Sequence, residues 1–339
     1  MRFFGTIALL TSLAGAASLG KRDSPLDVHI EQVGNSGVKA TITNSGSEDL
    51  KLLKTGSILD SAPVEKVRVF QGNNKLDFQG VRLRISTAGF DEEAFQTIPA
   101  GQNIVVSFDA AQLHDISTSG EYDFVAKGML SYAAIGSTDI TGAIPYSSNT
   151  LTAKVDGPEA AKARVEFLNK RTYVQSDCSG SAGTVTRNAL SNCRSLASAA
   201  SSAARTNTDK LVEYFRSTSA ASQVSQIFSR IASECGSTSS GASDTYCTDV
   251  LGACSSSVLA YTLPSADIIA YCPLFYSDLP SLTDTCHAQD QATTILHETT
   301  HLTSVGSTED WAYGYDASIR LSSSEAVNNA DSYALFANG

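Results

Sequence analysis

The chain holds 339 residues, with 24 Lys plus Arg against 35 Asp plus Glu and a formal net charge of −11. That length suits two domains of ordinary size, and the acidic balance speaks against nucleic acid as a partner, because a phosphate backbone demands a basic face. The charge is also uneven: after Arg171 seven basic residues stand against sixteen acidic ones, a net −9, which favours cationic partners for the C-terminal half.

In chain order the first element is a leader. Arg2 precedes an apolar run from Phe3 to Leu13, and Ala14-Gly15-Ala16-Ala17 offers small residues to a signal peptidase. The run falls short of the ~20 residues of a spanning helix, and no later stretch reaches that length. Residues 1–17 are therefore predicted as a signal peptide, and the protein as secreted, with no membrane segment. Two dibasic pairs, Lys21-Arg22 and Lys170-Arg171, enclose a segment without cysteine. Within it VHIEQV, GVKATITNS, EKVRVFQG, VRLRIST and NIVVSFDA are short, β-branched and partly alternating, separated by Gly, Asn and Ser turns. Residues 18–171 are predicted as a β-rich, sandwich-like propeptide that closes with a short helix over 156–169, just before the second dibasic pair.

Residues 172–339 read differently, and the expected class for the whole chain is α+β with a helix-rich second domain. Val185, Ala189, Leu190, Cys193, Leu196, Ala197 and Ala200 recur at helical spacing, as do Val224, Ile227, Phe228 and Ile231, with Gly236 placed to stop the second helix. SVLAYTL (257–263) and ADIIAYC (266–272) read as strands hinged at Pro264-Ser265. HAQDQATTILHETTHL reads as a helix, and a last helix is predicted from Ser323 to Ala337. All seven cysteines (178, 193, 235, 247, 254, 272 and 286) lie in this half. In a secreted chain such clustering predicts disulfides; the odd number leaves one thiol free or paired outside the chain, and spacing does not fix the pairing.

The chemistry is concentrated in His297-Glu298-Thr299-Thr300-His301. Residues four apart on a helix share a face, so both imidazoles can reach one ion, while Glu298 can hydrogen-bond a water there and accept its proton. A catalytic zinc usually takes three protein ligands, yet no histidine follows His301. Gly306 can end the helix and turn the chain back towards Glu309, Asp310 and Asp316, any of which offers a carboxylate oxygen. Tyr313 can donate its hydroxyl to the oxyanion of a tetrahedral intermediate. For Glu309 and Asp316 the plain expectation is solvated charge.

HETTH followed by STEDWAYG resembles the signature of the aspzincin metalloendopeptidases, HExxH plus a G-T-x-D-x-x-Y-G motif. LAYTLPSADIIAYCPLFYSDLP, TCHAQDQATT and NNADSYALFAN are similar to the fungal deuterolysins (neutral protease II) in particular, over most of residues 172–339. The resemblance implies a zincin-like fold, one Zn2+ held by His297, His301 and Asp310, Glu298 as general base and Tyr313 as an aid at the transition state. It also implies a zymogen layout, a strand above the HExxH helix that pairs with substrate, and basic proteins such as histones and protamines as favoured substrates of a monomeric enzyme. Ser307 departs from the motif's glycine, with Gly306 beside it. Asp331, in the last helix, is either a partner that orients a ligand histidine or a helix-surface acid. The rival reading is a secreted β-sandwich binding or adhesion module with a structural or inert zinc site, against which Glu298 argues, since a structural site needs no base.

Overall fold

A computed structural model of the chain describes residues 24–169, 177–237 and 241–339. The predicted signal peptide (1–17) and both dibasic pairs, Lys21-Arg22 and Lys170-Arg171, lie outside these residues. The first part is built of strands: β1 (Leu26–Val33), β2 (Gly37–Asn44), β3 (Leu50–Leu53), β4 (Arg68–Gln71), β5 (Asn74–Lys75), β6 (Arg82–Ile85), β7 (Phe95–Ile98), β8 (Asn103–Asp109), β9 (Gly120–Val125), β10 (Lys127–Ala133), β11 (Ile140–Ser147) and β12 (Leu151–Val155). Eleven of them form antiparallel sheets in the orders β1-β2-β8, β11-β10-β3-β7 and β12-β9-β4-β5. The alternation read in the sequence sets which side chains point inward. In β1, Leu26, Val28 and Ile30 are buried while Asp27, His29 and Glu31 are exposed. Val28, Ile42, Leu52, Val69, Phe124 and Leu130 from the three sheets meet in one apolar cluster. The helix predicted over 156–169 is α1 (Gly157–Asn169).

The second part consists of α2 (Gly180–Thr206), α3 (Thr208–Phe215), α4 (Ala221–Cys235), β13 (Asp244–Tyr246), β14 (Val258–Leu263), β15 (Ile268–Tyr271), α5 (Pro273–Ser277), α6 (Gln291–His301), α7 (Tyr315–Ser318), α8 (Ser323–Val327) and α9 (Ala330–Asn338). Ala189, Ala197, Ala200 and Ala204 form a buried small-residue face on α2, which lets α4 approach closely. Beside it Phe215, Phe228, Tyr333 and Phe336 interlock with ring centroids 5.0–5.5 Å apart, and truncating any one of them to Ala would cost ~3–5 kcal/mol. Disulfides join Cys178 to Cys247, Cys193 of α2 to Cys235 of α4, and Cys254 to Cys272. Cys286 is exposed and outside these bonds. No described helix is long and apolar enough to cross a membrane.

Three expectations need correcting. VRLRIST is no strand of the N-terminal sheets: β6 leaves them and forms the edge of β13-β15-β14-β6, a sheet otherwise made of C-terminal strands. Its four residues are all buried, and Leu83 and Ile85 pack with Tyr246, Val258 and Tyr261; such a strand needs cover on both faces. The last predicted helix is two helices, because Asn329 is extended (φ −111°, ψ 119°) between α8 and α9 and its Oδ1 accepts the N–H groups of Trp311 and Ala312 at 2.9 and 3.1 Å. After α6 the left-handed residue is Ser307 (φ 51°), while Gly306 is not among the positive-φ residues. A side chain in that region costs roughly 1–2 kcal/mol, a physical reason for a glycine at the motif's position. Gly306 matters differently: a Cβ there would stand 2.7 Å from the Thr300 carbonyl oxygen.

Candidate active site

Helix α6 runs through the interior, and all eleven of its residues are buried. Its start is fixed by a capping box in which Asp290 accepts the Thr293 N–H at 2.7 Å and Thr293 Oγ1 answers to the Asp290 N–H. The helical repeat then sets His297 and His301 on one face, with ring centroids 5.0 Å apart. The returning segment is held by a parallel bridge between Glu309 and Asn329 and by the Asn329 side chain, and this brings Asp310 back over the helix. Asp310 Oδ1 stands 3.2 Å from His297 Nε2 and 3.4 Å from His301 Nε2. All three atoms are buried and none has a hydrogen-bond partner.

Three such acceptor-bearing groups converging without a donor are costly unless something positive lies between them. Two imidazoles and a carboxylate suit a zinc-type ion, whose tetrahedral ligands at ~2.0–2.1 Å stand about 3.3–3.4 Å from one another. The second nitrogen of the His301 ring supports that use. His301 Nδ1 donates to the Thr308 carbonyl at 2.9 Å, leaving its Nε2 as the lone-pair atom. His297 Nδ1 lies 3.3 Å from Asp331 Oδ1. Burial, and next the Arg84 guanidinium, push the His297 pKa down to about 3, so the ring is neutral. Burial alone would raise the Asp310 carboxyl, but His301 and His297 more than reverse it and hold it well below the usual carboxylate range.

Glu298 sits beside this group. Thr262 Oγ1, from β14, donates to its Oε2 at 2.6 Å, while Oε1 is buried without a partner. Burial pushes the Glu298 pKa up to about 8, a value suited to taking and returning a proton near neutrality. The Tyr313 ring lies 6.2 Å from that of His297, nearly parallel to it, and its hydroxyl donates to the Leu83 carbonyl at 2.9 Å.

The predicted residues thus meet in one place, with one departure among the neighbouring acids, Glu309, while Asp331 takes the first of its two expected places, beside His297. Glu309 is no solvated charge: it pairs with Arg68 at 2.9 Å and with Lys75, cations of the N-terminal part. Asp331 is buried rather than on a helix surface, with Oδ2 accepting the Gly314 N–H at 2.5 Å and Oδ1 paired with Arg84. Asp316 is exposed, as expected. Sequence reading missed Thr262, Asn329 and Arg84. Asn329 and Asp331 lie in the NNADSY stretch and Thr262 in the LAYTLPSADIIAYC stretch, both already singled out, whereas Arg84 carries no local signal.

A sequence model described as the Deuterolysin metalloprotease (M35) family matches residues 3–339. A "Neutral protease 2 homolog" of Colletotrichum graminicola is 52% identical over 344 residues, covering 99% of this chain and 98% of that protein. One of Phaeosphaeria nodorum is 53% identical over 342 residues, covering 98% and 96%. A solved zinc peptidase from Grifola frondosa is 26% identical and covers 48% of this chain and 96% of its own, with a TM-score of 0.40. The family match and the two half-identical relatives do not favour an adhesion module. With a family match over nearly the whole sequence and relatives half identical from end to end, the chain belongs to the deuterolysin family of metalloproteases.

Proposed function

We infer that the protein is a secreted zinc endopeptidase made as a precursor, with one Zn2+ held by His297 Nε2, His301 Nε2 and Asp310 Oδ1. The observation that carries this reading is the convergence of those three buried, unpartnered atoms beside the free Oε1 of Glu298. Bound zinc supplies Lewis acidity to the scissile carbonyl and to water. Glu298 takes the proton of the attacking water on Oε1, while Thr262 fixes the other oxygen, and returns it to the leaving amine. Tyr313 turns its hydroxyl to the carbonyl oxygen as negative charge develops there. The edge of β14 that β6 covers is suited to pair with an extended peptide once β6 has left it.

Residues 1–17 act as the signal peptide and residues 18–171 as the propeptide, cut after Arg171 to leave a monomeric enzyme of residues 172–339. Three disulfides and the change of composition at the dibasic pair support this. N-terminal sequencing of secreted, active protein is expected to begin at Thr172; a start at Asp23 would remove the zymogen from the account.

Basic proteins such as histones and protamines are the favoured substrates, because the −9 of residues 172–339 concentrates cationic chains around the cleft. Matched basic and acidic peptides should differ most at low salt, and the difference should shrink as ions screen over ~10 Å at 0.1 M. Equal rates at low salt would contradict the preference.

A further inference from the structure

We propose that β6 is the inhibitory strand of the precursor: residues 82–85 fill the seat of an extended peptide substrate, so the cut after Arg171 does not by itself open the enzyme. The proposal rests on the peptidase reading above and concerns what closes that same site.

The register carries the argument. β6 runs antiparallel along β14, with Arg82 opposite Thr262, Leu83 opposite Tyr261, Arg84 opposite Ala260 and Ile85 opposite Val258. β14 has β15 on its other side, so β6 occupies the one edge at which a substrate strand can add. Pairing continues beyond the strand, from the Ser86 N–H to the Ser257 carbonyl at 2.8 Å. Gln289 clamps the same end, its Oε1 accepting the Thr87 N–H and its Nε2 donating to the Ile85 carbonyl, both at 2.8 Å. The carbonyl that receives the Tyr313 hydroxyl is that of Leu83. The Leu83–Arg84 peptide therefore lies where the bond to be cleaved must lie, and the oxyanion donor is already engaged.

Arg84 anchors the strand. Its side chain is 3% exposed, paired with the buried Asp331, with Nη1 3.2 Å from His297 Nδ1. A guanidinium taken out of water and matched to a buried carboxylate is lost only with a large penalty for the carboxylate left behind. Around this anchor the N-terminal part sets further cations on the acidic C-terminal part. Arg68 and Lys75 hold Glu309, and Lys127 reaches Glu325 at 3.0 Å. The Arg68 guanidinium also lies 3.5 Å over the Trp311 ring. None of these contacts involves the linker around Arg171, so cutting the linker leaves every one of them in place. Opening requires β6 to leave or to be digested.

Trp311 is the chain's single tryptophan, so its emission reports separation of the two parts independently of activity. The test cuts the full chain, and its Arg84→Ala variant, with an endoprotease specific for dibasic pairs. Gel filtration, Trp311 emission and casein hydrolysis are then followed on the same samples. The wild-type fragments are expected to co-elute with unchanged emission and little activity, whereas the Arg84→Ala fragments separate, their emission shifts and casein hydrolysis rises at least tenfold. Co-eluting wild-type fragments that cleave casein as fast as the variant would overturn the proposal. Should Arg84→Ala not fold, a synthetic peptide of residues 79–88 serves instead. It should inhibit the wild-type catalytic fragment, freed by digestion of residues 18–171, at least tenfold better than the same peptide with Arg84→Ala, and equal inhibition, or rapid cleavage between Leu83 and Arg84, would overturn the proposal. A separated fragment that binds zinc yet cleaves nothing would instead overturn the peptidase reading, with co-elution and emission still scoring the strand.

Discussion

Replacing Asp310 with Ala is expected to cost both zinc and peptidase activity. The substitution removes the one carboxylate oxygen that stands 3.2 and 3.4 Å from the two imidazole nitrogens, leaving two ligands where a catalytic site needs three. Loss of an outer partner of a metal ligand already costs roughly 10–100-fold in affinity, and loss of a ligand itself should exceed that. Zinc content after gel filtration and casein hydrolysis are expected to fall together. The neighbouring acids provide the contrast. Glu309 is turned to Arg68 and Lys75, so Glu309→Ala should keep the metal. Full zinc in Asp310→Ala, with loss in Glu309→Ala, would refute the ligand assignment.

Glu298→Gln should separate the two properties. Gln has the same shape, and its amide oxygen can still accept from Thr262, which now bonds Oε2 at 2.6 Å; the buried helix has no reason to move. What disappears is the ability to take a proton. Zinc content should be unchanged, while kcat falls roughly 10²–10⁴-fold, the usual contribution of a positioned general base. Retention of more than about a tenth of the wild-type rate would remove Glu298 from the base role.

How much of this was legible in the sequence follows from distance along the chain. His297, Glu298 and His301 are set by one helical turn, so the shared face of the two histidines, with Glu298 one position beside it, could be read directly. The paired strands at 258–263 and 268–271 likewise followed from composition and the Pro264 hinge. Asp310 could be reached only through the resemblance of STEDWAYG, because three carboxylates follow the helix and spacing alone does not choose among them. What selects Asp310 in space is Asn329, whose extended backbone also breaks the predicted last helix, and a propensity reading has no way to foresee that capture of two N–H groups. Arg84 lies 213 residues from His297. Its strand reads as one more β-branched segment of the N-terminal part, and only tertiary pairing shows that it belongs to the other sheet.

The central claim is that His297, His301 and Asp310 hold the zinc on which peptide hydrolysis depends. It is tested most directly by measuring zinc per chain and casein hydrolysis on one sample, cut after Arg171 and freed of residues 18–171, through chelation and zinc return. The account predicts about one zinc per chain, loss of metal and activity in step, and recovery of both on adding zinc. Casein hydrolysis that continues at its full rate once less than about a tenth of the metal remains would contradict it.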